Sequence, residues 1–194
     1  MQNFHQGLDA ITKQVLALVE EKLTPIILID GRAGSGKSLF ANALAERLYP
    51  ELEAAPRVIH MDDLYPGWEG LQAGSHYLNQ KILMPLKNGN KPSWQIWDWG
   101  KSQRGSEVEP GNGWREFSGG VPLIVEGCGS LSRVAKELSD LCIWIESESK
   151  ARRQRLQDRD GRQFDEFWPA WTIQEDEFYQ AEKSKELADL VIAN

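Results

Sequence analysis

The chain has 194 residues, 41% of them hydrophobic and 26% charged, a composition typical of a soluble globular protein. Its 22 Lys and Arg against 29 Asp and Glu give a net charge of -7, which excludes a broad basic surface for nucleic acid or anionic lipid. The sequence contains no long apolar run, no signal-peptide pattern, and only two cysteines, which lack metal-type spacing. These features predict a reduced, cytoplasmic protein without nucleic-acid or membrane partners, and they leave homo-oligomerisation open.

The apolar pattern alternates along the chain between helical and strand-like segments. Apolar residues at three- and four-residue steps predict a first helix over residues 4–19, and a continuous apolar run predicts a buried strand at 26–29. Further strands are predicted at 57–61, 121–125, 141–145 and 190–192, and further helices at 39–48, 75–86, 131–138, 150–159 and 173–187. This alternation predicts an α/β fold of three layers with a mainly parallel sheet.

We expect one domain over residues 1–194. Residues 66–120 are rich in Gly, Trp, Asn and Pro and weakly periodic, which indicates a small insertion over the edge of the sheet. A lid is expected at about 149–165.

A phosphate-binding loop is predicted at residues 31–38, which read GRAGSGKS and match G-x-x-x-x-G-K-[ST] in full. Glycines let backbone N–H groups turn towards phosphate oxygens, and the following helix points its N-terminus at the same anion. Lys37 is expected to bridge the β- and γ-phosphates and Ser38 to ligate Mg²⁺. ATP and Mg²⁺ are therefore the predicted cofactors, bound by Gly31, Ala33, Gly34, Ser35, Gly36, Lys37, Ser38 and Leu39.

Acidic residues follow two of the predicted strands. Asp62 and Asp63 come after the strand at 57–61, where an aspartate can accept a proton from an attacking hydroxyl, and Glu126 closes the strand at 121–125 as a candidate magnesium ligand. The alternatives are an acidic turn before Pro66 and a simple strand-ending acid.

Three arginines share one face of the predicted helix at 150–159. Arg152, Arg155 and Arg159 stand three and four residues apart, and with Lys150, Arg153 and Arg162 they form a basic island on an acidic chain. Guanidinium groups arranged in this way suit a phosphate whose charge is changing. The alternative is a solvated basic helix paired with its own aspartates.

Taken in order, these motifs resemble the uridine kinase and phosphoribulokinase superfamily of P-loop kinases, which includes bacterial pantothenate kinase. Two motifs of this family are similar to segments in the first part of the chain: DDLY at 62–65, and WDW at 97–99 followed by Arg104 five residues after Trp99. Three more are similar to later segments: Glu126-Gly127, the three lid arginines followed by Asp160, and ADLVI at 188–192. The resemblance runs from about residue 26 to 192.

The resemblance implies roles for individual residues. Lys37, Asp62, Arg155 and Arg159 would be catalytic, with Asp62 as the base, and Arg152 would bind ATP. Asp62, Tyr65, Asp98 and Arg104 would bind the phosphate acceptor. Two departures from the family make a pyrimidine nucleoside doubtful as the acceptor: Trp97 and Trp99 replace Tyr and Phe, and Ser102 stands where uridine kinases have His.

Two functions are consistent with these residues. The first is a kinase that transfers the γ-phosphoryl group of ATP to a hydroxyl of a small molecule, a nucleoside being the first expectation and a sugar or vitamin precursor the others. The second is an ATP-binding regulatory or adaptor domain without turnover. A signalling GTPase fits poorly, because the Asn-Lys-x-Asp and Asp-x-x-Gly motifs are not found. An Asp98–Arg104 salt bridge that only braces the insertion is the alternative to the acceptor site.

Overall fold

The computed structural model describes residues 2–106, 113–161 and 165–194. Arg162, with the parts of the predicted insertion and lid at 107–112 and 162–164, lies outside the described residues. In chain order the elements are β1 (Gln2–Asn3), α1 (Phe4–Glu21), β2 (Ile26–Asp30), α2 (Lys37–Leu48), β3 (Arg57–His60), α3 (Leu71–Leu78), α4 (Met84–Lys87), β4 (Ser93–Gln95), β5 (Trp97–Asp98), β6 (Gln103–Arg104), β7 (Trp114–Glu116), β8 (Leu123–Glu126), α5 (Arg133–Leu138), β9 (Leu141–Glu146), α6 (Ser149–Asp160), α7 (Trp168–Glu182), α8 (Ser184–Leu187) and β10 (Leu190–Ala193). None of the described helices is both long and apolar enough to cross a lipid bilayer.

The central sheet contains six strands in the order β1-β10-β9-β2-β8-β3, and every neighbouring pair is parallel. Parallel strands bring their carboxyl ends to one edge of the sheet, which is where such folds bind ligands. Three of the predicted motifs follow β2, β3 and β8 at this edge. The expected α/β fold with a mainly parallel sheet is confirmed.

Apolar side chains cover both faces of the sheet, as the continuous apolar runs of the strands predict. On one face Ile27 and Ile29 pack in a cluster with Phe40 of α2. On the other face Leu28 and Val125 belong to a cluster that includes residues of α3 and α7. The result is a three-layer arrangement with a buried sheet.

Several elements differ in extent from the sequence prediction, and three of the differences have a clear description in the backbone. Helical structure in the insertion runs from α3 through a π-helical turn at Asn79–Leu83 into α4, longer than the predicted helix at 75–86. The predicted helix at 173–187 begins earlier, at Trp168, and is interrupted by Lys183, whose φ of 60° ends α7. Strand β3 stops at His60 because the chain then enters a 3-10 turn at Met61–Asp63.

The insertion also contains strands that the sequence analysis did not predict. Strands β4 and β7 pair antiparallel, and β5 and β6 form a second antiparallel pair in which Trp97 lies opposite Arg104. These strands have two or three residues, too few for an alternating pattern to be read from the sequence.

Candidate active site

The predicted phosphate-binding loop connects β2 to α2 and has the backbone shape that its glycines allow. Gly31 and Gly34 adopt φ values of 147° and 76°. A Cβ atom at Gly31 would lie 2.4 Å from the carbonyl oxygen of Ile145, and one at Gly34 would lie 2.5 Å from that of Arg152. Both positions therefore require glycine for backbone conformation and for space. Gly36 is the N-cap of α2, so the unpaired amides of the first helical turn face the loop.

Lys37 is buried at the start of α2. Its Nζ atom donates to the carbonyl oxygen of Arg32 at 3.1 Å and contacts Sγ of Cys128 at 3.5 Å. Burial acts to lower the pKa of Lys37, but Cys128, Glu126 and the other nearby carboxylates outweigh it and raise the pKa. The ammonium group is therefore held charged inside the loop, where an anion would meet it.

Ser38 and Glu126 come together although 88 residues separate them. The Ser38 hydroxyl donates to Oε1 of Glu126 at 3.0 Å, and Nδ1 of His60 lies 2.6 Å from the same oxygen. The hydrogen bond to Glu126 raises the pKa of His60. A hydroxyl and a buried carboxylate beside a phosphate cradle are oxygen ligands of the kind Mg²⁺ takes, so this pair fits the predicted metal site.

Asp62 lies in the 3-10 turn that follows β3. Its side chain is exposed to solvent at the carboxyl edge of the sheet. Desolvation by neighbouring protein atoms and the charge of Glu126 raise the pKa of Asp62, whereas the charges of Lys37 and Arg159 act to lower it. Asp62 is thus electrostatically coupled to the phosphate-binding loop, the candidate metal ligand and the predicted lid.

The neighbouring Asp63 has different surroundings. Desolvation raises its pKa, and the cations that act in the opposite direction are His60, Arg115 and Arg57. Neither Lys37 nor a lid arginine is among those influences. Of the two aspartates, Asp62 is the one whose pKa is influenced chiefly by residues of the loop and the predicted lid as well as by burial.

Helix α6, which belongs to the predicted lid, places two of its arginines against the predicted phosphate-binding loop. Arg152 is buried and donates through NH1 to the carbonyl oxygen of Ala33 at 3.0 Å, while its Nε atom is buried without a hydrogen-bond partner. Arg155 donates through NH1 to the carbonyl oxygen of Gly34 at 3.3 Å and to Oγ of Ser147 at 2.8 Å. The helix therefore borders the cradle that its arginines were predicted to complete.

The remaining loop positions have distinct settings. Ser35 is fully buried, and its Oγ atom has no hydrogen-bond partner. Leu39 lies in the first turn of α2, and its side chain is exposed. Nucleotide binding by Ser35 and Leu39 stays a prediction.

The predicted acceptor residues are distributed differently. Tyr65, expected in the substrate site, is buried, and its hydroxyl donates to the carbonyl oxygen of Cys128 at 2.7 Å. Oδ1 of Asp98 accepts from the backbone amides of Gly100 and Lys101, at 3.0 and 3.1 Å, in the turn of the β5–β6 hairpin. Arg104 is half-buried and its guanidinium carbon lies 3.9 Å from the centre of the Tyr77 ring. Tyr65 thus occupies the core, Asp98 closes the hairpin turn, and Arg104 packs on the ring of Tyr77.

A buried network behind the loop was not anticipated. The Asp30 carboxylate, next to Gly31, accepts from the amides of Gly129 and Leu131 at 3.1 and 2.8 Å and from the Tyr179 hydroxyl at 2.7 Å. Burial raises the pKa of Asp30 from 3.8 to about 6 in spite of these hydrogen bonds. Its place at the end of an apolar strand was a signal that could have identified it.

Helix α7 supplies the second part of this network. Oε1 of the fully buried Glu175 accepts from the amide of Ala33 at 2.6 Å, and Oε2 lies 3.5 Å from NH1 of Arg32. Asp176 pairs with NH2 of Arg32 at 2.6 Å. Nothing in the sequence indicated these contacts, because about 140 residues separate the partners.

Comparison with solved structures places this fold among proteins described as kinases. A possible uridine kinase from Bacillus stearothermophilus superposes with a TM-score of 0.66 and 20% identity over 97% of this chain and 98% of that one. A protein provisionally assigned as a fructose transport system kinase from a Silicibacter species gives 0.55 and 19% identity over 95% and 98%. The sequence matches no protein-family model and no curated protein. The fold implied by the motif resemblance is therefore confirmed.

Proposed function

We propose that this protein is a P-loop kinase that transfers the γ-phosphoryl group of ATP to a hydroxyl of a small molecule. The observation that carries the proposal is the convergence of three motifs at one edge of the sheet. Ser38 of the loop is hydrogen-bonded to Glu126 at 3.0 Å, and Asp62 is coupled electrostatically to Glu126, Lys37 and Arg159. Phosphoryl transfer uses four components: a phosphate-binding loop, metal ligands, a base and a lid.

The proposed reaction assigns each group one task. The loop amides and Lys37 would hold the β- and γ-phosphates, and Ser38 and Glu126 would hold Mg²⁺, which would supply charge neutralisation. Asp62 accepts the proton of the acceptor hydroxyl as that oxygen bonds to the γ-phosphorus and the bond to the β-phosphate oxygen breaks. Arg155 and Arg159 stabilise the charge on the transferring group. The products are ADP, the phosphate ester and a proton carried by Asp62.

The acceptor is proposed by its chemical class. The motif resemblance favours a small alcohol, with a nucleoside as the first candidate because its paired ribose hydroxyls suit a carboxylate. The similar solved structures are described as a possible uridine kinase and as a protein provisionally assigned as a fructose transport system kinase, so sugars belong in the same screen. The regulatory or adaptor alternative predicts ATP binding without ester formation by any of these alcohols.

The deciding experiment compares two neighbouring aspartates. Purified protein is incubated with Mg²⁺, γ-labelled ATP and a panel of nucleosides, sugars and vitamin precursors, and labelled ester is measured. Asp62→Asn should lower turnover about 10²–10⁴-fold, the range for a lost proton acceptor, while ATP affinity measured by calorimetry stays near wild type. Asp63→Asn is the matched control, since the main influences on its pKa are desolvation, His60, Arg115 and Arg57 rather than Lys37 and Arg159. Equal losses in the two variants would refute the assignment of the base.

A further inference from the structure

The insertion is hydrogen-bonded to the turn that carries Asp62 at two points. The indole Nε1 of Trp99, one residue after β5, donates to the backbone carbonyl of Asp62 at 2.9 Å. NH2 of Arg104, on β6, donates to the backbone carbonyl of Leu64 at 2.7 Å. Both donors belong to one hairpin, and both acceptors belong to one turn.

The position of the Asp62 carboxylate depends on this backbone because its side chain is exposed rather than packed in the core. Within the turn, the Met61 carbonyl accepts from the amides of Leu64 and Tyr65 at 2.8 and 3.2 Å. Those bonds close the turn through the Met61 carbonyl and do not involve the carbonyls of Asp62 and Leu64. The hairpin supplies the donors for these two groups.

Both donors are themselves held in place. The Trp99 ring lies 5.2 Å from that of Trp68, which stacks on Phe167 at 4.7 Å with an interplanar angle of 3°. Phe167 follows the predicted lid in the chain. The Arg104 guanidinium lies over the Tyr77 ring and donates through NH1 to the carbonyl oxygen of Gln95 at 3.3 Å. Both donors are therefore held by contacts with other residues of the protein.

We propose that Trp99 and Arg104 are positioning residues that fix the Asp62 turn through its backbone carbonyls. This inference rests on the proposed function, in which Asp62 accepts the proton. The motif resemblance implied that Arg104 binds the acceptor, and the family motif has Phe where Trp99 stands. Phe has no N–H group, so the hydrogen bond to Asp62 is a feature of this chain. Catalytic groups must be held to within a fraction of an ångström, because a shift of about 1 Å can lower the rate about 100-fold.

The test replaces Trp99 by Phe, which keeps an aromatic side chain next to Trp68 and removes the indole N–H donor together with part of the ring. Trp114→Phe is the matched control, because Trp114 belongs to the same insertion and is 41% exposed, against 39% for Trp99. In the wild type and both variants, kcat and KM for the acceptor found in the screen and the affinity for ATP are measured. Trp99→Phe should lower kcat about 10- to 100-fold, with KM and ATP affinity within about twofold of wild type. Unchanged kcat, or a change confined to KM, would overturn the proposal.

Arg104→Lys separates positioning from acceptor binding. A positioning role predicts a lower kcat with little change in KM, whereas a direct contact with the acceptor predicts a higher KM, which would overturn the assignment for Arg104.

A second readout needs no acceptor. Amide resonances of residues 61–64 should show added microsecond-to-millisecond exchange broadening in Trp99→Phe but not in Trp114→Phe. If the wild type transfers no phosphate but the broadening occurs, the proposed function fails and the positioning of the turn stands. If the turn is equally ordered in both variants, the positioning role fails whatever the activity.

Discussion

Asp30 should make the stability of this protein depend on pH in a direction opposite to that of most surface acids. Its carboxylate is fully buried and accepts from four donors, including the amide of Gly31 at 2.6 Å and the hydroxyl of Tyr179 at 2.7 Å. Burial outweighs those hydrogen bonds and raises the pKa of Asp30 from 3.8 to about 6. The folded protein therefore binds a proton here more tightly than the unfolded chain does.

The sign and size of the effect follow from linkage. Below the unfolded pKa both states are protonated, and above the folded pKa both are ionised. Between the two values only the unfolded state has lost its proton, so the free energy of unfolding falls as pH rises. At 1.36 kcal/mol per pKa unit, the raised pKa of Asp30 corresponds to a total loss of about 3 kcal/mol, of which about 2 kcal/mol falls between about pH 4.5 and pH 7.5.

The assay is urea denaturation of the wild type and Asp30→Asn across that pH range. Because the other titrating groups are common to both proteins, the difference in unfolding free energy isolates Asp30. The wild type should gain about 2 kcal/mol relative to the variant on going from about pH 7.5 to about pH 4.5. In Tyr179→Phe, the loss of a donor that lowers the pKa of Asp30 should extend the pH-dependent loss to higher pH. A difference that stays constant with pH, or that changes in the opposite direction, would refute the reasoning.

Three further outcomes are expected. Lys37→Ala should abolish productive ATP binding, measured by calorimetry, while the fold persists in circular dichroism; equal affinity would contradict the loop assignment. Arg155→Ala and Arg159→Ala should each lower turnover more than ATP affinity, because their contacts with the γ-phosphate strengthen towards the transition state; a loss confined to binding would indicate a static anion clamp. Glu175→Gln should lower the free energy of unfolding by about 1–3 kcal/mol in urea denaturation, since it weakens a buried acceptor of the Ala33 amide; an unchanged midpoint would contradict that role.

The features that depend on residues close together in the chain could be predicted from the sequence. Continuous apolar runs identified four of the six strands of the parallel sheet, because a strand covered on both faces needs no alternation, and β3 was predicted as a short strand. The glycines and the Lys37-Ser38 pair identified the loop, because this spacing of residues is characteristic of phosphate-binding loops. The arginine face of α6 was also readable, because helical periodicity acts over a few residues.

Contacts between distant segments were decided only by the tertiary structure. The hydrogen bond between Ser38 and Glu126, the burial of Glu175 against Ala33, and the donation from Trp99 to the Asp62 carbonyl join residues 88, 142 and 37 positions apart. The type of a side chain determines which hydrogen bonds it can form. Its actual partner depends on which segments the sheet and the helices bring together. Tyr65 and Arg104 illustrate this point, because both fit a family motif by their spacing in the sequence. In the structure each donates a hydrogen bond to a backbone carbonyl of the protein. A buried polar group needs a hydrogen-bond partner at the place where the fold puts it.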